Sequence, residues 1–406
     1  MKVLVKTLGT ILLAAAIGIA FRTNEFALNY FFPYVSLGGS LFLNALMMAV
    51  LPLVMTSVIL GISKIGNGEE AKRLAKKVFS SFLFNSSLSV LTGWLIFTLM
   101  SPLLFKSGHM YISVSTETKE IAAFTDIFIK LFPRNIFKAM TDGEMIGIIV
   151  FCMMFGLSLG RVAKDETVFV NKALQGIFDT TLGMTRMIMQ ALPIGIFCLV
   201  LDASVRINLA TFQSIGFFFI MIVLGIMIHM ALWLFILSSA LKISPKRFLE
   251  INQTALVTAF STSSSAATLP VTLDCLENKM GVSQRVTRFM IPLGTTINMA
   301  GTALFVCAAA LFLAKAYGLE MTLTHQASIV FISLLTSYGI AGIPSACLVA
   351  LMIVLSSIGI PSEAVALIIG IDRILDMIRT LCNVYCNIAC SLIVAHYEGE
   401  QINFNI

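Results

Sequence analysis

Charge is scarce in this chain. Asp, Glu, Lys and Arg make up 12% of its 406 residues, where soluble domains carry about 25%, and the mean hydropathy is +0.95. A water-facing globule cannot hide a chain that is 58% hydrophobic. Apolar runs of about 20 residues, the length that crosses a bilayer, recur from end to end. Histidine is scarcer still: four residues, at His109, His229, His325 and His396, none paired with a serine in a motif. A serine nucleophile needs a base, so the serine run at 263–265 does not make an intramembrane hydrolase, and the chain is read as no enzyme. The same lack leaves Cys382, Cys386 and Cys390, at spacings i, i+4, i+8, without an imidazole partner for a metal; small thiols pack well between helices. An extended basic surface is missing too. The net charge of +6 is split among short loops: Lys64 to Lys77, Arg161 to Lys172, Lys242 to Arg247 and Lys279 to Arg288. That excludes nucleic acid as a partner and marks the cytoplasmic loops of a polytopic membrane protein. The basic start and apolar run at 3–22 lack a small-x-small cleavage site before a soluble domain, so the run is read as a retained first span.

Further spans are expected at 36–62, 78–105, 144–163, 174–204 and 211–241. Lys2 and Lys6 place the N-terminus inside, and the loops then alternate consistently. Segment 106–143, with Pro133, takes no clear element. After Lys246 the pattern changes. Residues 251–273 are rich in Ser and Thr, too polar for a lipid-facing helix, and Pro270 follows a serine tip. A hairpin of two short helices is expected over 248–280. A second is expected over 326–361, where Gly-Ile-Ala-Gly-Ile-Pro interrupts an apolar run. Non-helical backbone at membrane depth survives only inside protein or beside a water-filled cavity. The breaks resemble each other: SSSAATLP (263–270) matches SYGIAGIP (337–344), and each precedes a related pair, Asn298-Met-Ala-Gly-Thr302 and Asp376-Met-Ile-Arg-Thr380. Two matches in one order argue for an internal duplication. The first hairpin enters from the inside and the second from the outside, so the repeats are inverted. Interrupted segments at corresponding positions of inverted repeats point to a transporter's substrate site.

The last span, 362–395, carries Asp372, Asp376, Arg379, Thr380, Asn383 and Asn387 at spacings of 4, 3, 1, 3 and 4. That is a polar stripe on one face of an apolar helix. Each central Asp or Arg costs about 2.5–3.5 kcal/mol to insert, so the stripe faces the protein interior. Mutual neutralisation of Asp376 and Arg379 would leave Asp372, Thr380 and Asn383 unexplained. A guanidinium fork fits a carboxylate and a nearby carboxylate fits an ammonium, which together suit aspartate or glutamate. The N–H groups and hydroxyls at the 263–268 tip are placed to take a second carboxylate.

These pieces carry a resemblance. STSSSAATLPVTL (261–273), IPLGTTINMAGTALF (291–305), YGIAGIP (338–344) and GIDRILDMIRTLCNVYCN (370–387) resemble the dicarboxylate/amino acid:cation symporters, the glutamate transporter family. A weaker likeness runs over the whole chain, including ALPIGIF (191–197). The resemblance implies an all-α polytopic membrane protein with eight transmembrane helices and two re-entrant hairpins related as inverted repeats, assembled as a homotrimer in a cell membrane (inner or plasma), both termini cytoplasmic. Segments 1–77 and 106–210 would be scaffold, apart from the helix at 78–105. That helix and 211–395 would form a mobile unit that moves like a lift, followed by a tail at 396–406. The hairpin tip at 337–350 would be the outer gate. Arg379 would bind the substrate side-chain carboxylate and Asp376 its ammonium. Ser263, Ser264, Ser265, Thr302, Ala341, Gly342, Thr380 and Asn383 would complete the substrate site. Asn85, Ser86, Thr296, Asn298, Ser337, Ile340, Asp372, Asn383 and Asn387 are the candidates for cation sites. No cofactor is implied beyond a transported monovalent cation, Na+ or H+; the partners are the acidic substrate and lipid. Relatives taking neutral amino acids usually lack this Arg, and those taking dicarboxylates lack the Asp.

The chain also departs from the family. The usual Asn-Met-Asp-Gly-Thr reads Asn298-Met299-Ala300-Gly301-Thr302, the last helix has Asn387 where another cation-binding Asp is usual, and a Thr-Ser pair is Asn85-Ser86. Sodium in a dry site needs oxygens and a counter-charge. Sodium coupling is therefore expected to be weakened or lost, at a cost of about 1.4 plus 2.3 kcal/mol of driving force per ion for a tenfold gradient and 100 mV. The alternatives left open are a sodium- or proton-coupled carrier of dicarboxylates or neutral amino acids, and a channel-like binding protein.

Overall fold

The computed structural model describes residues 30–63, 69–104, 131–142, 145–206, 209–319, 321–338 and 346–403, with residue 129 and scattered positions between 10 and 21. Most of the expected first span at 3–22, most of 106–143, and the second hairpin's tip with Ile340, Ala341 and Gly342 lie outside the described residues. The helices are α1 (Phe32–Ser63), α2 (Glu69–Leu104), α3 (Ile136–Asp142), α4 (Met145–Leu159), α5 (Lys164–Gln190), α6 (Leu192–Arg206), α7 (Leu209–Leu241), α8 (Pro245–Thr262), α9 (Ser265–Asp274), α10 (Gln284–Ile297), α11 (Ala300–Ala316), α12 (Leu323–Ser337), α13 (Ala346–Ser357) and α14 (Ala366–Tyr397). Among the described residues there is no strand. Three runs there are long and apolar enough to cross a membrane: Arg73–Leu103, Gln213–Leu241 and Gln284–Ala316.

Local chemistry sets the helix ends. Ser244, Ser264, Ser283 and Thr322 cap α8, α9, α10 and α12, each side chain accepting a backbone N–H three residues on, which satisfies a donor the helix cannot. At the other ends Gly318, Gly359 and Gly399 adopt φ of 76°, 79° and 81°. Each follows its helix by two residues, and the paired returns Gly318 N to Lys315 O and Leu319 N to Ala314 O recur at 359–360 and 399–400. This is the left-handed glycine stop that hands the last carbonyls their donors.

The structure divides the span expected at 174–204. α5 runs from Lys164 to Gln190, and α6 starts at Leu192 with Ala191 as the joint. Pro193 accounts for the break: it has no N–H to give and its ring crowds the preceding turn, but it fits the first turn of a new helix. Asp165 and Glu166 in the first turn of α5 suit the positive end of its dipole, so the helix starts ten residues before the apolar run. α2 likewise begins at Glu69 and carries its basic residues as an extension beyond the apolar segment expected from 78.

α11 is the centre. Every residue from Ala300 to Ala314 is buried, against α2, α7, α12, α13 and α14. α14 lies among α7, α8, α10 and α11, while α1 packs on α4, α5 and α6. A Cβ at Gly93 of α2 would stand 2.6 Å from the Leu304 carbonyl oxygen of α11, so glycine there lets two backbones touch. Between α10 and α11 the chain leaves the helix at Asn298 and Met299 (φ −112°, ψ 71° and φ −106°, ψ 69°). That break sits in the most buried of the three long apolar runs among the described residues, opposite the stripe of α14.

Candidate functional site

The stripe of α14 is buried throughout: Asp372, Asp376, Arg379, Thr380, Asn383 and Asn387 are each 6% exposed or less. Arg379 organises it. Its Nη2 donates to Asp372 Oδ1 at 2.8 Å, to Asp376 Oδ1 at 3.1 Å and to Cys347 Sγ of α13 at 2.7 Å. The guanidinium carbon lies 4.0 Å above the centre of the Phe305 ring of α11, where the face of the ring attracts a cation. The Nε and Nη1 atoms of Arg379 are buried with no acceptor. An orphaned buried donor costs about 1–3 kcal/mol, and a bound anion would supply the acceptors. Asp376 also faces Arg373, whose Nη1 is 3.9 Å from Oδ2. The i, i+3 pair expected from the sequence is present, but Asp372, seven residues away, is the nearer partner. Cys347, Phe305 and Arg373 were not foreseen.

Asn383 joins the stripe to α11. Its Oδ1 accepts the backbone N–H of Gly301 at 2.8 Å and of Thr302 at 3.4 Å, and its Nδ2 donates to Thr302 Oγ1 at 3.2 Å. It thus satisfies the free donors of the first turn of α11. A Cβ at Gly301 would lie 2.6 Å from the Arg379 carbonyl oxygen; the absent side chain lets this turn rest on the backbone of the arginine. Thr380 is buried beside it.

The first hairpin forms where expected, α8 returning as α9. Ser263 turns the chain with φ 51°, ψ 34°. Ser264 caps α9 by accepting from Ala267 N at 3.2 Å. Ser263 and Ser265 are buried, and Ser263 Oγ has no partner. α9 packs against α14 and α10, so the serine turn belongs to the bundle that holds the stripe.

The cation-site candidates divide into groups. Asn85, Asn298 and Asn387 come together from α2, the break and α14 as a ladder of amides. Asn85 Nδ2 donates to Asn298 Oδ1 at 2.6 Å, and Asn298 Nδ2 donates to Asn387 Oδ1 at 2.8 Å. The orientation of Asn85 is fixed from behind, because its Oδ1 accepts Trp233 Nε1 at 2.6 Å and faces His229 Nε2 at 3.2 Å. Ser86 is buried next to it, and Ser89 Oγ donates to the Ala300 carbonyl. The Asn387 amide lies against Gly294, where a Cβ would fall 2.3 Å from Oδ1. Asp372 is not in the ladder but on Arg379. Thr296 and Ser337 bond back to their own helices, at Leu293 O (2.9 Å) and Leu334 O (2.7 Å). Cys382 and Cys386 have sulfurs 4.0 Å apart, and among the described residues no group of three or more His, Cys, Asp or Glu is arranged for a metal ion.

Residues 3–397 match the family described as the sodium:dicarboxylate symporter family. The proton/sodium-glutamate symport protein of Geobacillus stearothermophilus is 29% identical over 402 residues, covering 96% of this chain and 93% of that protein. An excitatory amino acid transporter of Caenorhabditis elegans is 30% identical over 449 aligned residues, covering 98% and 88%. The human excitatory amino acid transporter 3 is 29% identical over 455, covering 98% and 86%.

Proposed function

Because the chain belongs to the sodium:dicarboxylate symporter family, a family of transporters and not of enzymes, we propose that it carries aspartate or glutamate across a cell membrane by alternating access, with its sodium coupling weakened or lost. The observation that carries the substrate assignment is Arg379: fully buried, with Asp372 and Asp376 on one nitrogen and two nitrogens without an acceptor. A guanidinium with open donors beside two carboxylates is complementary to a ligand bearing both a carboxylate and an ammonium. Arg379 takes the side-chain carboxylate, Asp376 the ammonium, and Thr380, Asn383, Thr302 and the serine turn at 263–265 border the ligand. The names of the relatives, glutamate and excitatory amino acid carriers, support the same class.

The chain forms eight transmembrane helices and two re-entrant hairpins, assembled as a trimer embedded in lipid. α1, α4, α5 and α6 form the scaffold; α2, α7 and everything after Ser244 move together like a lift; the tip between α12 and α13 gates the outer side. The tail beyond α14 is cytoplasmic. Weak sodium coupling is supported by the amide ladder. The side-chain oxygens of Asn298 and Asn387 already accept amide protons at 2.6 and 2.8 Å, and no carboxylate stands among them to neutralise an ion. One relative is named for a proton or sodium, and either remains compatible with residual coupling.

Uptake of labelled aspartate into proteoliposomes, with sodium, pH and voltage varied separately, tests the reading. Saturable uptake that survives replacement of sodium by choline is expected. Uptake of a neutral amino acid or succinate in preference to both acidic amino acids would overturn the substrate assignment.

A further inference from the structure

Among the described side chains of the helices, the buried charged ones are Asp372, Asp376 and Arg379. Taken alone they leave one uncompensated negative charge buried among the helices. The fourth charge beside them is Arg373, whose side chain is 17% exposed and whose Nη1 is 3.9 Å from Asp376 Oδ2. It is the next residue after Asp372, but lies off the stripe. With it the cluster holds two carboxylates and two guanidiniums and is formally neutral. The 3.9 Å separation is longer than a hydrogen bond, and Arg373 Nε is buried without an acceptor. The guanidinium is thus held near Asp376 by charge and keeps donors in hand.

We propose that Arg373 is the resident counter-charge of the substrate site, supplying from the protein a positive charge that would otherwise have to come from solution. The proposal rests on the reading that this site takes an acidic amino acid. Such a ligand has two carboxylates and one ammonium, a net charge of minus one. The loaded cluster therefore carries minus one with Arg373 and minus two without it. Carrying uncompensated charge through a low-dielectric layer is costly, so one fixed guanidinium replaces one co-bound cation in the charge balance. Arg373 acts through Asp376: when the ligand ammonium arrives at that carboxylate, Arg373 offsets the second ligand carboxylate.

The test compares wild type, Arg373→Gln and Arg373→Lys. Aspartate binding is measured by calorimetry on purified protein. The same titrations are run over a range of sodium chloride and choline chloride concentrations. Arg373→Gln is expected to weaken aspartate at least about tenfold and to make its affinity rise with sodium more steeply than in wild type, as a cation from solution takes the place of the missing guanidinium, while Arg373→Lys restores both. A role in packing alone would not make binding depend on the cation. Arg373→Met, which keeps a long stem, replaces the Gln variant if that one is not monodisperse. Wild-type affinity and sodium dependence in the neutral variant would overturn the proposal, as would a Lys variant as impaired as the Gln variant. Wild type that binds neither aspartate nor glutamate would defeat the acidic-substrate reading, and the proposal with it. Normal wild-type binding beside an unaltered neutral variant defeats the proposal alone.

Discussion

Asn298 gives its side-chain amide to Asn387 Oδ1 at 2.8 Å, and this one bond ties the interrupted backbone between α10 and α11 to the polar face of α14. The donor here is an N–H where a cation would bring positive charge of its own. Ala300 cannot supply a carboxylate, and Asn387 offers only an amide.

Sodium dependence follows from that bond. Replacing sodium with choline at fixed pH and voltage is expected to leave aspartate uptake within about tenfold, since a tenfold loss already equals about 1.4 kcal/mol of coupling. Ala300→Asp with Asn387→Asp is expected to add sodium stimulation. A larger gain is expected when Asn85→Thr also removes the amide that fills Asn298 Oδ1. A greater collapse of wild-type uptake in choline would defeat the idea.

Arg379→Cys should abolish binding of acidic amino acids and open the site to neutral ones such as serine. Removing one partner of a buried charge pair costs about 2–5 kcal/mol, here leaving Asp372 and Asp376 without their nearest guanidinium. Calorimetry that finds wild-type aspartate affinity in this variant would remove Arg379 as the selector.

Phe305 is expected to matter through its ring face. Phe305→Leu keeps an apolar side chain but removes the cation–π contact with Arg379, worth about 0.5–2 kcal/mol. Aspartate affinity should fall about tenfold with little change in melting temperature; an unchanged affinity would show that the ring only packs.

At the end of α14, Glu398 accepts from Lys77 at 2.5 Å and pairs with Arg285 and Arg73. The hydrogen bond from Lys77, with Arg285 and the nearby positive charge, holds its carboxyl below the usual carboxylate range. A lowered folded value means that its stabilisation is present above the unfolded value, about 4.3, and is lost as pH falls through the folded one. Melting of wild type in detergent is expected to lose this contribution only below about pH 4. Glu398→Gln should be less stable at neutral pH and show a shallower acid decline; identical acid profiles would discount the cluster.

Much of the site was legible because polarity on an apolar helix is a loud signal. Asp372, Asp376, Arg379 and Asn383 stand out at helical spacing, and serine and proline marked the turn at 263–264. What stayed hidden was hidden for physical reasons. Phe305 is one of 31 phenylalanines, and its contact with Arg379 is a matter of ring orientation, which no spacing encodes. Cys347 looks like any small apolar residue until the hairpin sets it on a guanidinium. Arg373 fell off the stripe because it follows Asp372 directly, and neighbours in a helix point about 100° apart. The ladder joins Asn85 to Asn298 across 213 positions, beyond the reach of local pattern. The joint at Ala191, inside the span expected at 174–204, was missed by following hydropathy through Pro193.

The glycines around α11 have one more consequence. At Gly93, Leu304 O occupies the space of the missing side chain, and at Gly301 the Arg379 carbonyl does. Helices joined backbone to backbone have no soft layer between them to yield under load. If this bundle travels, it travels stiff, and the work of the journey falls on the surrounding bilayer, which must thin, tilt or rearrange to let it pass. The thickness and fluidity of the lipid would then set the pace of the cycle.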